Sequence, residues 1–288
     1  MSASELLKKV RKIELKTKGL SNHIFAGEYH TAFKGKGMTF SEVREYQPGD
    51  DIRTIDWNVT ARFNNPYVKV FEEEREMTVM LVVDISGSEN FGTQQKIKKE
   101  LIVELSAVIA FSAIQNNDKI GVLFFSDKIE KFIPPKKGKS HILRIIRELI
   151  SFEPTSQGTN IGEALRFFNN VTKKRSICFL ISDFLDGNFE LPLRIANKKH
   201  DVISVKIEDP REKELPNVGL IQFKDSESNS SKWVDTSNEE VRNDFKKNYA
   251  YNNNNMKQIF KSCGVDIIEI STDEDYIKPL INFFNKRT

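Results

Sequence analysis

The sequence predicts an α/β protein with a mostly parallel sheet that helices cover on both faces. From residue 77 onward, apolar runs of strand length alternate with longer stretches of helical apolar periodicity. Two of the runs end in a carboxylate, at Asp84 and Asp183, as if a buried strand stopped at the edge of a sheet. Before residue 77 the chain changes to short segments with Gly and Pro punctuation, which predicts a small appended subdomain.

The predicted organisation has three parts. Residues 1–24 contain a basic amphipathic helix at 4–18, whose apolar stripe either packs or contacts a membrane surface or an acidic partner. Residues 25–76 form a small β/loop subdomain, in which Tyr67–Phe71 alternates as an extended strand does. Residues 77–288 form the main domain.

The elements of the main domain follow from apolar patterning. The predicted strands are Thr78–Asp84, Lys119–Ser126, Ile129–Ile133, Ile177–Ser182, Val202–Ile207 and Val265–Ile270, with an added pair at Val218–Phe223 and Lys232–Val234. The predicted helices are Thr93–Ile114, Ser140–Ile150, Thr159–Val171, one opened by the capping-box pattern Ser237–Glu240, and a final helix capped by Thr272. The run Asn252–Asn255 is expected to weaken the fourth of these helices.

Bulk composition excludes several classes of function. The 44 basic and 41 acidic residues leave a net charge of +3, so no general case for a nucleic-acid partner arises. No apolar run reaches the roughly 18 residues of a membrane span, and residues 1–9 lack the apolar core of a signal peptide. We therefore expect a cytoplasmic protein without a membrane span, in which Cys178 and Cys263 are free and buried.

The run Val79–Ser88 carries the most information about function. It ends in Asp84, Ser86 and Ser88, whose carboxylate and hydroxyl oxygens suit Mg²⁺, Mn²⁺ or Ca²⁺ better than zinc or copper. A plainer alternative is a strand end followed by an Asp/Ser turn that caps the next helix. Thr159 before a predicted helix and Asp183 after a later strand supply two further oxygen donors.

With these five residues the chain resembles the von Willebrand factor A domain. The metal-ion-dependent adhesion site of that domain consists of D-x-S-x-S, a Thr in a second loop and an Asp after a later strand. The resemblance implies that Ser86 and Ser88 bind the ion directly, that Thr159 binds directly or through water, and that both Asp residues often bind through water. A partner's Asp or Glu carboxylate would then complete the coordination. Glu89 departs from the pattern, because an apolar residue is common there.

A second resemblance lies upstream of this site. The segments are Gly35–Phe40, Val43–Tyr46, Pro48–Asp51, Arg53–Trp57, Ala61–Arg62 and Val68–Glu73. In this order they resemble the signature of the bacterial family known as domain of unknown function fifty-eight, in which it precedes a von Willebrand A domain. Members commonly accompany MoxR-type AAA+ ATPases and Bat proteins, so the resemblance implies such a partner.

Three alternatives stay open from the residues. Asp84 would serve as the nucleophile of a Mg²⁺-dependent phosphatase or phosphotransferase, although position 86, where such phosphatases usually carry a second Asp, is a Ser. The metal site would be vestigial in a purely structural scaffold. The charged residues Arg44, Asp50, Asp51, Arg53, Asp56 and Arg62 form either a structural ion-pair network or an acid–base site.

Overall fold

The computed structural model describes residues 38–63, 65–73, 77–87, 98–224 and 231–287. The predicted helix at 4–18, together with Ser88 and Glu89, lies outside the described residues. The chain divides into two compact units, which meet in the sequence between Met77 and Thr78.

The smaller unit is built around an antiparallel pair of strands, β1 (Met38–Glu45) and β2 (Tyr67–Glu73). A 3-10 turn at Ile52–Thr54 and a short helix, α1 (Trp57–Phe63), lie between the two strands in the sequence. The sequence analysis missed this helix, because its seven residues are too few to show a periodicity.

The charged residues of the smaller unit serve local structure. Arg44 donates two hydrogen bonds to Asp50, at 2.8 and 2.7 Å. Asp51 caps the 3-10 turn by accepting from the amide of Arg53, and Asp56 accepts from the amide of Asn58 at the start of α1. These contacts favour the structural interpretation of the cluster over an acid–base site.

The larger unit contains a six-stranded sheet. Its strands are β3 (Thr78–Asp84), β4 (Lys119–Phe125), β5 (Ile129–Lys136), β6 (Ile177–Ser182), β7 (Asp201–Glu208) and β10 (Asp266–Ser271). Their spatial order is β10-β7-β6-β3-β4-β5, and every pair is parallel except β4 and β5. A separate antiparallel pair, β8 (Leu220–Lys224) and β9 (Ser231–Asp235), matches the predicted added pair.

Helices cover both faces of this sheet, as predicted. They are α2 (Lys98–Gln115), α3 (Lys139–Ser151), α4 (Ile161–Val171), α5 (Glu190–Lys199), α6 (Pro210–Lys213), α7 (Glu239–Cys263) and α8 (Ile277–Arg287). Met80 and Val82 of β3 belong to one buried cluster with residues of α4, α5 and α7. The alternate residues of β3 point to the other face, where α2 contacts β3 and β4. No helix of the described residues combines the length and apolar character needed to cross a membrane.

The sequence analysis missed a further helix, and two of its predicted helix caps were wrong. The residues between β6 and β7 form helix α5, which the sequence analysis did not identify. Helix α7 is capped by Asn238 and not by Ser237, because the Asn238 side chain accepts from the amide of Glu240. Thr272 does not cap the last helix, since it donates to Asp209 Oδ2 at 2.7 Å.

Gly121 on β4 has atoms of both neighbouring strands close to its α-carbon, and we expect Gly121→Ala to destabilise the protein. A β-carbon there would lie 2.8 Å from Met80 Sδ and 2.9 Å from Ile133 O. Because the second atom is backbone, relief requires a shift of β5, and overpacking of this kind costs about 1–3 kcal/mol. Urea denaturation should show the loss, whereas the control Gly187→Ala, which has open space around it, should change stability little. Equal midpoints for both variants would contradict the expectation.

Candidate metal centre

The sheet has a topological switch point between β3 and β6. From β3 the chain runs outward through β4 and β5, whereas β6, β7 and β10 extend on the opposite side. Ligands of open α/β sheets bind at such a point, beyond the carboxyl ends of the strands. Asp84 is the last residue of β3 and Asp183 directly follows β6, so both predicted carboxylates stand at this edge.

Asp84 is fully buried and held by short hydrogen bonds. Its Oδ1 accepts from the amide of Ser86 at 2.9 Å, and its Oδ2 accepts from the hydroxyl of Ser182 at 2.7 Å. The Ser182 hydroxyl in turn accepts from the amide of Phe184 at 3.1 Å. The ends of β3 and β6 are therefore joined through one serine that the sequence analysis did not select.

The loop that carries Thr159 is hydrogen-bonded to the loop after β3. The amide of Gly87 donates to the carbonyl of Gln157 at 3.0 Å, and the amide of Asn160 donates to the carbonyl of Ser126 at 2.8 Å. Asn160 then caps α4 by accepting from the amide of Glu163. Of the five predicted ligands, Asp84 ends β3, whereas Ser86, Thr159 and Asp183 belong to loops at the same edge of the sheet. Ser88 lies outside the described residues.

The electrostatics of this edge fit a hard cation. Burial, together with the negative charge of Asp183, raises the pKa of Asp84 to about 7, against the opposing hydrogen bonds from Ser182 and Ser86. A divalent cation would offset both the desolvation and the repulsion. Within the described ranges, no three His, Cys, Asp or Glu side chains group as metal ligands. A site here would accordingly rely on two carboxylates together with hydroxyl oxygens, which is the predicted donor set.

A buried lysine stands beside this site, and the sequence analysis missed it. Lys98 on α2 is fully buried, with Nζ 3.2 Å from Asp183 Oδ2 and 2.5 Å from Glu212 Oε1. A lysine is almost never fully buried unless its charge is paired. The positive charge of Lys98 thus offsets part of the negative charge of Asp183 at the end of β6.

Glu212 is held in place for this contact by the turn after β7. Its Oε2 accepts from the amide of Asp209 at 3.0 Å, and the Asp209 side chain accepts from the amide of Arg211, which completes a capping box on α6. Burial raises the pKa of Glu212, whereas the charge of Lys98 lowers it. The carboxylate is therefore presented to Lys98 by backbone geometry.

A groove of about 860 Å³ begins at Asp183 and runs along α7. Asn248, Asn252 and Asn255 are among its lining residues. At one wall Lys206 donates to Glu208 at 2.9 Å and to Asn253 at 2.8 Å. The groove therefore combines amide side chains with a buried ion pair, next to the candidate metal site.

The mostly parallel sheet and the helices that cover it form a von Willebrand A-like α/β fold. The chain belongs to the family described as "Protein of unknown function DUF58", whose model matches residues 42–255. It is 30% identical to the uncharacterized protein Mb1516 of Mycobacterium bovis over 96% of this chain and 88% of that protein. The uncharacterized protein Rv1480 of Mycobacterium tuberculosis matches with the same identity and coverage. The predicted family is therefore confirmed.

A solved structure supports the fold. The conserved hypothetical protein BatB from Bacteroides thetaiotaomicron aligns with a TM-score of 0.51 at 18% sequence identity. The alignment covers 73% of this chain and 98% of that one. At this identity the likeness shows the fold alone.

Proposed function

We propose that the protein is a non-enzymatic, divalent-cation-dependent protein-binding module. The observation that carries the proposal is the pair of buried carboxylates, Asp84 and Asp183, at the switch point of the sheet. Two buried carboxylates at one edge are costly unless positive charge accompanies them. The ammonium of Lys98 contacts Asp183, and a divalent cation would supply the compensation for Asp84. The family and the fold favour an interaction module, and the donor set adds the dependence on a metal ion.

In the proposal, Asp84, Ser86, Ser88, Thr159 and Asp183 hold Mg²⁺, with Mn²⁺ or Ca²⁺ as substitutes. Hydroxyl donors leave the ion with few direct negative charges, so it attracts an Asp or Glu carboxylate from a partner. Mg²⁺ keeps several exchangeable waters, which gives the partner's oxygen a position to occupy. The groove beside Asp183 would accept the chain that flanks that carboxylate.

The proposed partner is a MoxR-type AAA+ ATPase or a Bat protein, following the family resemblance. An adaptor of this kind presents a client to an ATPase and needs no chemistry of its own. Nucleic acid is not proposed as a partner, since the chain is nearly balanced in charge.

The geometry of Asp84 weighs against the phosphatase alternative. A carboxylate nucleophile must reach the phosphorus of a bulky phosphoester. Asp84 is fully buried, and position 86, where such phosphatases usually carry a second Asp, is a Ser. Turnover of a generic phosphoester that Asp84→Asn abolished would reinstate this alternative.

The first test is calorimetric titration of Mg²⁺ and Mn²⁺ into the metal-free protein. We expect saturable binding at one site, and we expect Ser86→Ala/Ser88→Ala to reduce it below detection because two direct donors are lost. Heats that stay at the level of buffer dilution for the unaltered protein would overturn the dependence on metal.

The second arm tests the partner. A MoxR-type ATPase from the same organism should be retained by the immobilised protein in Mg²⁺ and released by a chelator. Ser86→Ala/Ser88→Ala should fail to retain it in Mg²⁺. If the ATPase were retained equally after chelator treatment and by the substituted protein, partner binding would not depend on the metal site.

A further inference from the structure

We infer that Lys98 acts as a built-in competitor of the divalent cation and sets the affinity of the site. This inference rests on the proposed metal site and assigns it a regulatory residue. The ammonium of Lys98 lies next to Asp183 and already offsets part of its negative charge. Less of that charge is then left to attract a divalent cation. No motif of the sequence analysis includes this lysine.

The burial of Lys98 is the first observation. Its side chain is fully shielded from solvent, whereas the side chains of Asp183 and Glu212 are 3% and 24% exposed. Water therefore screens little of the charge interaction among them. An ammonium in this position therefore acts on Asp183 more strongly than an exposed ammonium at the same distance would.

The second observation is the way the lysine is held. Lys98 contacts carboxylates on two different elements, Asp183 after β6 and Glu212 on α6. The capping box on α6 fixes the orientation of Glu212. The ammonium is thus held between a predicted metal ligand and a carboxylate that the metal site does not need.

The third observation is the charge balance. Among the described residues, the negative charge of Asp183 acts on the carboxyl groups of both Asp84 and Glu212. These three carboxylates and the ammonium of Lys98 leave a remainder of two negative charges when all four groups are ionised. One divalent cation would balance that remainder, and removal of the ammonium would leave a site with an excess of negative charge.

Two directions of effect are therefore distinguishable. If the ammonium competes with the ion, its removal strengthens cation binding, because a like charge a few ångströms away is gone. If Lys98 only orients Asp183, its removal weakens binding, because a ligand loses its support. We infer the first, since Asp183 retains an independent hydrogen bond from the amide of Leu185 at 3.3 Å.

The test is titration of Mn²⁺ into the metal-free protein and into Lys98→Met, followed by calorimetry. We expect the dissociation constant of Lys98→Met to fall by at least about tenfold. The conservative variant Lys98→Arg keeps the charge and should stay within about threefold of the unaltered protein. Circular dichroism and thermal melting check that each variant is folded.

A second variant guards against misfolding. Lys98→Met/Glu212→Gln removes both members of one ion pair, so Glu212 is not left as a carboxylate without the ammonium, and the loss of that contact is confined to Asp183. The formal charge of the group is then the same as in the unaltered protein, yet the ammonium beside Asp183 is absent. We expect this variant also to bind Mn²⁺ more tightly than the unaltered protein, by a smaller factor than Lys98→Met.

The outcomes separate this inference from the proposed function. Binding by the unaltered protein with equal or weaker binding by both methionine variants overturns the role of Lys98 and leaves the metal site intact. Binding by the methionine variants alone supports the competition and overturns metal dependence of the native protein. Absence of binding in every variant overturns both.

Discussion

Asp84→Asn is expected to stabilise the metal-free protein at pH 8 while it abolishes cation binding. Asparagine keeps the size of the side chain and retains an oxygen that accepts from the amide of Ser86. It removes a carboxylate whose pKa burial raises from 3.8 to about 7. Keeping that group ionised in the folded state costs about 2–4 kcal/mol at pH 8.

The sign of the pH dependence follows from the direction of this shift. Because the pKa of Asp84 is higher in the folded protein than in the unfolded chain, the folded state binds more protons between pH 4 and 7. The free energy of unfolding of the metal-free protein should therefore fall as pH rises through this window and level off above 7. Asp84→Asn should remove that slope in urea titrations at several pH values.

Asp183→Asn is the matched control for this experiment. The same chemical change at Asp183 takes a partner from the buried ammonium of Lys98, so it should destabilise the protein by about 2 kcal/mol or more. Saturating Mg²⁺ should stabilise only the unaltered protein, through mass action. If Mg²⁺ stabilised Asp84→Asn as much as the unaltered protein, binding of the ion would not depend on the Asp84 carboxylate.

The sequence predicts the sheet well because apolar runs report burial directly. Val79–Val83 and Ile177–Ile181 are fully or almost fully buried strand residues, and a run buried on both faces cannot be mistaken for a surface strand. The order of the strands was not derivable from composition. The order was not predicted and comes from the folded chain, whereas the grouping of Asp84 with Asp183 in one site came from the resemblance.

Helix α7 shows where propensity misleads. Asn252–Asn255 was expected to weaken the helix, yet the helix continues unbroken from Glu239 to Cys263. Asn253 accepts a hydrogen bond from Lys206, and Met256 and Phe260 are buried in the core cluster. Tertiary contacts of this kind outweigh the intrinsic helix propensity of asparagine, which is unfavourable by about 0.5 kcal/mol per residue relative to alanine.

Lys98 was missed although the sequence contains a signal for it. Lys98, Leu101, Ile102 and Leu105 lie at the i, i+3, i+4 and i+7 positions of one helical face. A charged residue on an otherwise apolar stripe indicates either the end of the buried stripe or a buried ion pair. Neither Asp183 nor Glu212 is near it in the sequence, so only the folded chain identifies the pair.

Phe260→Ala is expected to cost about 3–5 kcal/mol of stability, because it empties a buried aromatic position. Phe260 is 1% exposed and meets Phe184 edge-on, with ring centroids 5.0 Å apart. Tyr251→Ala, on the same helix but 68% exposed, is the control and should change the free energy of unfolding little. Urea denaturation measures both.

Phe260→Ala should also weaken cation binding at the proposed metal site. Phe184 directly follows Asp183 and has a φ of 59°, a left-handed conformation that a bulky residue adopts only when its surroundings enforce it. Phe189 and Phe260 supply that enforcement by enclosing its ring. Once Phe260 is lost, Phe184 can relax and turn Asp183 away, so Mn²⁺ affinity measured on folded protein should fall. An unchanged affinity would mean that the hydrogen bond from Phe184 to Ser182 alone holds the end of β6.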